Sequence, residues 1–259
     1  MKTPSPPVVM CFSGLDPTGG AGIQADIESI AQHGCHAAPI ITANTVQDTH
    51  NVMSFKTVDT GIILEQARAI LKDMSISAIK IGMLGSGNTA EAIYTLLKQY
   101  RDIPVIFDPV LVAGGGSSLS QKNLIDAITT LILPHTLILT PNIPEALLLT
   151  SSKNRPEAAA ELLNKMGAKY VLLTGTHSSS PDITHKLYFD SENLKSYSYK
   201  RLENEYHGSG CTLAASLAAQ IAQKMPPINA CQTALDFTYN SLIQANALGH
   251  GQLIPGRNI

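Results

Sequence analysis

Residues 207–222, HGSGCTLAASLAAQIA, set a glycine-rich corner directly before an alanine- and leucine-rich helical run, with Cys211 in the first turn. The first N–H groups of a helix lack carbonyl partners and favour anions. Gly208 and Gly210 let a ligand approach that backbone closely, and a thiol placed there is expected to be tuned toward thiolate. Two readings suit the pattern: a tightly packed corner with an inert cysteine, or a group that works on something negatively charged. A Cys211–His207 nucleophilic pair is a further arrangement, but no orienting third group accompanies it.

A second glycine loop, SGLDPTGGAGIQADI, begins at Ser13. Gly14 and Gly19 have the spacing of a P-loop, but Gly20 stands where the lysine belongs. Gly20 to Ala25 fit G-x-G-x-x-A, yet LDPTG separates them from the preceding strand, where a dinucleotide fingerprint needs its first glycine. What remains is a glycine loop that opens a helix, with Asp26 one turn in. His33, Cys35 and His36 fall at a helix-to-strand junction without a second ligand pair. They read as surface or capping groups rather than metal ligands.

These loops need elements to hold them. The runs VVMCFSG, APIITANTV, AIKIGML, PVIFDPVLV, TLILTPN and YVLLTGT are apolar and strand-like, and amphipathic helical segments lie between them. Near-continuous apolar strands separated by helices predict a mainly parallel sheet covered on both faces, an α/β fold. KLYFD and KSYSYKR read as a later strand pair with SENL between them, and two helices, over 210–223 and about 229–248, close the chain. No linker or internal repeat divides the sequence, so one domain over 1–259 is expected. Glycine and polar residues gather at the carboxyl ends of the strands, where such sheets bind ligands.

The 259 residues are 44% hydrophobic and 15% charged, with a net charge of −2. That balance gives no electrostatic attraction for nucleic acid or anionic membrane. No stretch reads as a signal peptide or a bilayer span. Cys11, Cys35, Cys211 and Cys231 show no framework spacing, which suits reduced thiols in a cytoplasm.

The motifs SGLDPTGGAGIQADI, ANTVQDT, KIGML, DPVLVA, LTPNIPEA and HGSGCTLAASLAA, in this order, resemble bacterial hydroxymethylpyrimidine/phosphomethylpyrimidine kinases of the ribokinase-like superfamily. The likeness runs from about Val8 to the GHG at Gly249–Gly251. It implies a single-domain ribokinase-like fold and an ATP- and Mg²⁺-dependent phosphotransferase of thiamine biosynthesis, cytoplasmic and homodimeric. It also implies roles. The N–H groups of Gly208, Ser209, Gly210 and Cys211 form an anion hole for the moving phosphoryl group. Cys211 faces the substrate hydroxyl as base or positioner. Gly14, Asp26, Gln47, Met83 and Val110 match the pyrimidine pocket. Asn142 and Glu145 resemble an N-x-x-E element that organises Mg²⁺ and phosphates, Asp108 joins Glu145 on the metal side, and Thr174 and Gly175 lie on the nucleotide side.

Two departures stand out. Thr174 replaces a usual lysine, and AGGGSS, from Ala113 to Ser118, replaces the usual A-K-S-G-D lid. They leave two alternatives beside the pyrimidine kinase: a pyridoxal (vitamin B6) kinase, and a non-catalytic pyrimidine-binding protein.

Overall fold

In the computed structural model, which describes residues 5–111, 118–153, 155–175 and 181–258, one nine-stranded sheet forms the centre. Its strands are β1 (Val8–Leu15), β2 (His36–Gln47), β3 (Val52–Thr57), β4 (Ile76–Ile81), β5 (Val105–Phe107), β6 (Ile138–Leu139), β7 (Tyr170–Leu173), β8 (Asp182–Phe189) and β9 (Glu192–Lys200). They lie in the order β3-β2-β1-β4-β5-β6-β7-β8-β9. The pairings from β2 through β7 are parallel, and β3, β8 and β9 add antiparallel edges.

The pleat divides each strand between two cores. Met10, Phe12, Ile79, Ile81, Val105 and Phe107 face α2 (Thr60–Asp73), α3 (Gly87–Gln99), α4 (Ser118–Ala127), α5 (Ile143–Thr150) and α6 (Pro156–Lys165). The alternate residues Val9, Cys11, Ala78 and Ile106 face α1 (Gly22–Gln32), α7 (Ser209–Ala222) and α8 (Pro227–Ile243). This is the ribokinase-like α/β arrangement that the sequence implied. Among the described residues, no helix is long and apolar enough to cross a membrane.

Several local outcomes differ from the sequence reading. The edge strand β3 was not anticipated, because its side chains are mostly exposed or half-buried and leave no clear apolar alternation. Strands β5 and β6 are only three and two residues long. Pro109 and Pro141 follow soon after, and a proline has no N–H to extend a ladder. The β8–β9 turn is not the four residues SENL but Asp190 and Ser191, both left-handed with φ of 51° and 64°, as a two-residue hairpin requires. Helix α8 stops at Ile243 rather than near 248, and Asn246 then pairs with Ile254 in a short antiparallel bridge. Residues 113–117 of the lid segment, and Thr176 and His177 beyond β7, lie outside the described residues.

Candidate active site

The strand order reverses about β1, with β2 on one side and β4 on the other, and ligands in such sheets bind at that switch point beyond the carboxyl ends. Five spacings of about 4.8 Å separate β2 from β7, a span of about 24 Å, room for two small molecules side by side. Gln47 ends β2, Gly14 lies in β1, and Met83 follows β4. Asp108, Asn142 and Thr174 follow β5, β6 and β7.

Strand parity decides which polar groups meet. Ser13 falls on the same face as Val9 and Cys11, Lys80 on that of Ala78, and Asp108 on that of Ile106. All three therefore turn towards α1 and α7. On α1, Ile23, Asp26 and Ile30 form the inward stripe. The Lys80 ammonium lies 2.8 Å from Asp26 Oδ1 and 3.0 Å from Oδ2, and donates to Ser13 Oγ at 2.9 Å. Ser13 in turn donates to Asp26 at 2.5 Å. Asp26, expected against the pyrimidine, has no exposed surface, and its carboxylate is turned to Lys80 and Ser13. Lys80 was not anticipated. Burial works against its charge, but Asp26, Cys211 and Asp108 outweigh it and hold its pKa above the ordinary lysine range.

Cys211 stands above this group. Helix α7 begins at Ser209 behind a left-handed N-cap, Gly208 with φ 82°, and no side chain caps it. The N–H groups of that turn are thus left for a ligand. Gly208 has to be glycine for a second reason: a Cβ there would collide with the carbonyl oxygen of Gly20, so the two glycine loops touch backbone to backbone. Lys80, Asp108 and Asp26 all act on the Cys211 thiol electrostatically. The expectation of a thiolate is corrected here. Burial pushes the thiol up to about 12, with Asp108 and Asp26 adding to it, and the opposing pull of Lys80 is insufficient.

Asp108 is buried, its Oδ2 has no hydrogen-bond partner, and burial together with Asp26 raises its pKa to about 6 despite Lys80. Glu145 is raised to about 8 by burial and by Asp108. It also closes a capping box on α5: Asn142 N–H donates to its carboxylate at 2.9 Å, and Asn142 Oδ1 accepts from Glu145 N–H at 2.8 Å. Thr174 pairs with Asn142 across the next strand end, and its N–H donates to Pro141 C=O at 2.9 Å. Gly175 follows against the Thr184 carbonyl. Two desolvated carboxyls, one raised by the other and one with an orphaned oxygen, suit a divalent cation. Mg²⁺ is commonly held by one or two carboxylates and by waters and phosphates.

At the switch point itself, Met83 is buried against Gly14, where a Cβ would lie 3.0 Å from its sulfur. Thr42 Oγ1 fixes the Met83 carbonyl at 2.5 Å. Gln47 and Val110 are half-buried. The Gln47 amide lies 2.7 Å from His207 Nε2 and 3.0 Å from Thr45 Oγ1. Arg257, also unforeseen, ties the two glycine loops together from behind. It is 3% exposed, and donates to Thr212 Oγ1 at 3.0 Å, to Gly19 C=O at 3.3 Å and to Gly20 C=O.

Residues 16–255 match the family described as phosphomethylpyrimidine kinase. The chain belongs to this family. The hydroxymethylpyrimidine/phosphomethylpyrimidine kinase of Staphylococcus aureus is 31% identical over 253 residues, 95% of this chain and 92% of that protein. Among solved structures, the phosphomethylpyrimidine kinase of Clostridium difficile aligns with a TM-score of 0.76 at 28% identity, over 91% of this chain and 98% of that one. The ADP complex of Bacillus subtilis pyridoxal kinase aligns with a TM-score of 0.89 at 23% identity, over 98% of both. At that identity the second likeness is one of fold. The family match takes in the site residues from Asp26 to Cys211 and reaches the Asn246–Ile254 bridge, and it begins just after β1, which carries Ser13 and Gly14.

Proposed function

We propose that this phosphomethylpyrimidine kinase family member transfers the γ-phosphoryl group of ATP to the hydroxymethyl oxygen of 4-amino-5-hydroxymethyl-2-methylpyrimidine. A second transfer to the monophosphate gives the diphosphate for thiamine biosynthesis. One observation carries the reading: the uncapped start of α7 lies against Asp108, whose charge also acts on Glu145, while Gln47 and Met83 stand at the ends of strands on either side of β1. Phosphoryl transfer asks mainly for positioning and charge stabilisation, and this arrangement offers both.

In this reading, the N–H groups of Gly208, Ser209, Gly210 and Cys211 receive the charge of the moving phosphoryl group. Cys211, a neutral thiol in the field of Lys80 and Asp108, positions the substrate hydroxyl. Gly14, Met83 and Val110 hold the ring, and Gln47 pairs with its ring nitrogen and amine. Asp26 supports this pocket from beneath, through Lys80. Asn142, Thr174 and Gly175 border the phosphates of ATP. Asp108 and Glu145 would hold Mg²⁺, which when bound would supply charge neutralisation for those phosphates. The enzyme works as a cytoplasmic homodimer, which sedimentation of the purified protein tests for its oligomeric part.

The fold likeness to pyridoxal kinase supports a second reading, a vitamin B6 kinase. Gln47 separates the two. Its amide matches an aminopyrimidine edge, whereas pyridoxal offers a phenolic oxygen and an aldehyde. Gln47→Leu should leave the pyrimidine edge unpaired and cost about 1–3 kcal/mol, roughly one to two decades in kcat/KM. A wild-type preference for pyridoxal, untouched by this substitution, would contradict the pyrimidine reading.

A further inference from the structure

Three segments distant in sequence meet at one atom, His207 Nε2. It lies 2.8 Å from Asp16 Oδ2 and 2.7 Å from the terminal amide of Gln47. A ring nitrogen carries either a proton or a lone pair, so it cannot donate to a carboxylate and accept from an amide N–H together. Asp16 decides which. Its buried carboxylate accepts from Thr18 N–H and Oγ1 and from Ala21 N–H, all between 2.8 and 2.9 Å. Burial favours its neutral form, but the bonds from His207, Thr18 and Ala21 outweigh this and hold its pKa below the ordinary range. An ionised carboxylate only accepts, so Nε2 bears the proton.

The Gln47 end that faces Nε2–H must then be the oxygen, and the NH₂ end must face Thr45 Oγ1, 3.0 Å away. Amide oxygen and nitrogen are assigned by the bonds around them. A second bond agrees with this assignment. The Thr45 hydroxyl has one proton, and the Leu15 carbonyl lies 2.9 Å away to receive it. Thr45 Oγ1 is therefore free to accept from the Gln47 NH₂. One orientation sets the amide oxygen beside the Nε2 proton, which Asp16 and Gln47 then share as a three-centre bond, and the NH₂ beside the Thr45 oxygen; the reverse opposes two donors at one end and two acceptors at the other.

We propose that His207 is a specificity-determining positioning residue that locks the Gln47 amide with its oxygen towards the glycine corner and its NH₂ towards Thr45. The inference rests on the pyrimidine reading of Gln47 given above. An amide has two N–H donors and two oxygen lone pairs, so one of each remains for the ligand. In a locked amide they form a fixed donor–acceptor edge. A 4-aminopyrimidine, with a ring acceptor beside an amine donor, matches that edge. The 4-oxo analogue, with a ring N–H beside a carbonyl, needs the amide turned over. His207 also opens the turn that leads into α7, and Gly20 packs directly on its ring, so the same contact joins ring recognition to the anion-binding turn.

The test compares ADP release with 4-amino- and 4-oxo-5-hydroxymethyl-2-methylpyrimidine in wild type, His207→Leu, Asp16→Asn and Gln47→Leu. With two mismatched polar groups, wild type should prefer the amino ring by about a hundredfold or more in kcat/KM. In His207→Leu the amide turns freely, and the preference should fall to about tenfold or less. Asp16→Asn should weaken it in the same direction if the leucine variant does not fold, and His207→Leu should change the ratio no further in a Gln47→Leu background. A purely structural His207 would lower turnover of both rings together and leave their ratio unchanged, which would overturn the inference. Nitrogen NMR of the ligand-free protein, labelled in histidine, gives a readout independent of activity. It should show the His207 Nε2 protonated, and an unprotonated Nε2 would overturn the inference. Turnover of neither ring, with Nε2 protonated, would overturn the pyrimidine reading instead.

Discussion

Lys80 Nζ lies 2.8 Å from Asp26 Oδ1, and neither side chain has any exposed surface. A lysine and an aspartate taken wholly out of water are tolerated only as partners, because each alone would leave an unbalanced charge in the core. The pair also sets the electrostatics above it, since the Lys80 charge acts on both Asp108 and Cys211.

Removing one partner should therefore be costly. Lys80→Met is expected to destabilise the fold by about 3–5 kcal/mol in denaturant titration, and Lys80→Met combined with Asp26→Leu by much less. Equal losses in the single and double variants would show that the pair is not coupled.

For Cys211, a thiol pushed up to about 12 is neutral at pH 7. Iodoacetamide should alkylate it slowly in the ligand-free protein. As a positioner worth one neutral hydrogen bond, about 0.5–1.5 kcal/mol, Cys211→Ala should lose about two- to tenfold in kcat. A base would account for about 10²–10⁴-fold, so a loss in that range, with fast alkylation, would restore the thiolate.

The carboxyls of Asp108 and Glu145 predict a pH effect on stability. Their pKa values rise from 3.8 to about 6 and from 4.5 to about 8 on folding. The folded protein thus binds more protons than the unfolded chain between about pH 4 and pH 8, and should lose stability as pH rises through that window. Added Mg²⁺ should stabilise the protein more at pH 8 than at pH 5 in thermal unfolding. Glu145→Gln, which retains an acceptor for the capping box, should flatten the upper part of the window and raise the Mg²⁺ concentration needed for turnover. An unchanged Mg²⁺ titration would remove Glu145 from the metal side and leave it as the α5 cap.

Arg257 makes a prediction far from the chemistry. Its guanidinium holds the Gly19 and Gly20 carbonyls against Thr212, the residue after Cys211. Charged hydrogen bonds of this kind are worth about 1.5–3 kcal/mol, so Arg257→Gln should lower stability by that order and raise KM for the pyrimidine. Stability and KM both within error of wild type would show that the two glycine loops hold together without the clamp.

Much of the site could be read from the sequence because local patterns carry it. The glycine spacing around Cys211 marks an open helix start, and the strand ends gather Gly14, Gln47, Met83, Asp108 and Asn142 along one edge. Lys80 left a fainter signal. It is the one charge in the apolar run AIKIGML, and a charge on a strand covered on both faces has to find a partner. Asp26, on the inward stripe of α1 with Ile23 and Ile30, was that partner, but the pairing depends on β1 and β4 being neighbours. Arg257 left none, since its bonds to the Gly19 and Gly20 carbonyls join positions more than two hundred residues apart. The thiolate expectation gives way for a related reason: a helix start favours the anion, and only the fold brings burial, Asp108 and Asp26 to bear on the thiol.

The central claim is phosphorylation of the hydroxymethylpyrimidine. The direct measurement is ADP release by the purified protein with ATP and Mg²⁺, coupled to NADH oxidation, across hydroxymethylpyrimidine, its monophosphate and pyridoxal. The account predicts turnover of both pyrimidines, with kcat/KM for hydroxymethylpyrimidine well above that for pyridoxal. Turnover of pyridoxal alone would contradict it in favour of a B6 kinase. No turnover of any of the three, with hydroxymethylpyrimidine still bound in calorimetry, would contradict it in favour of a binding protein.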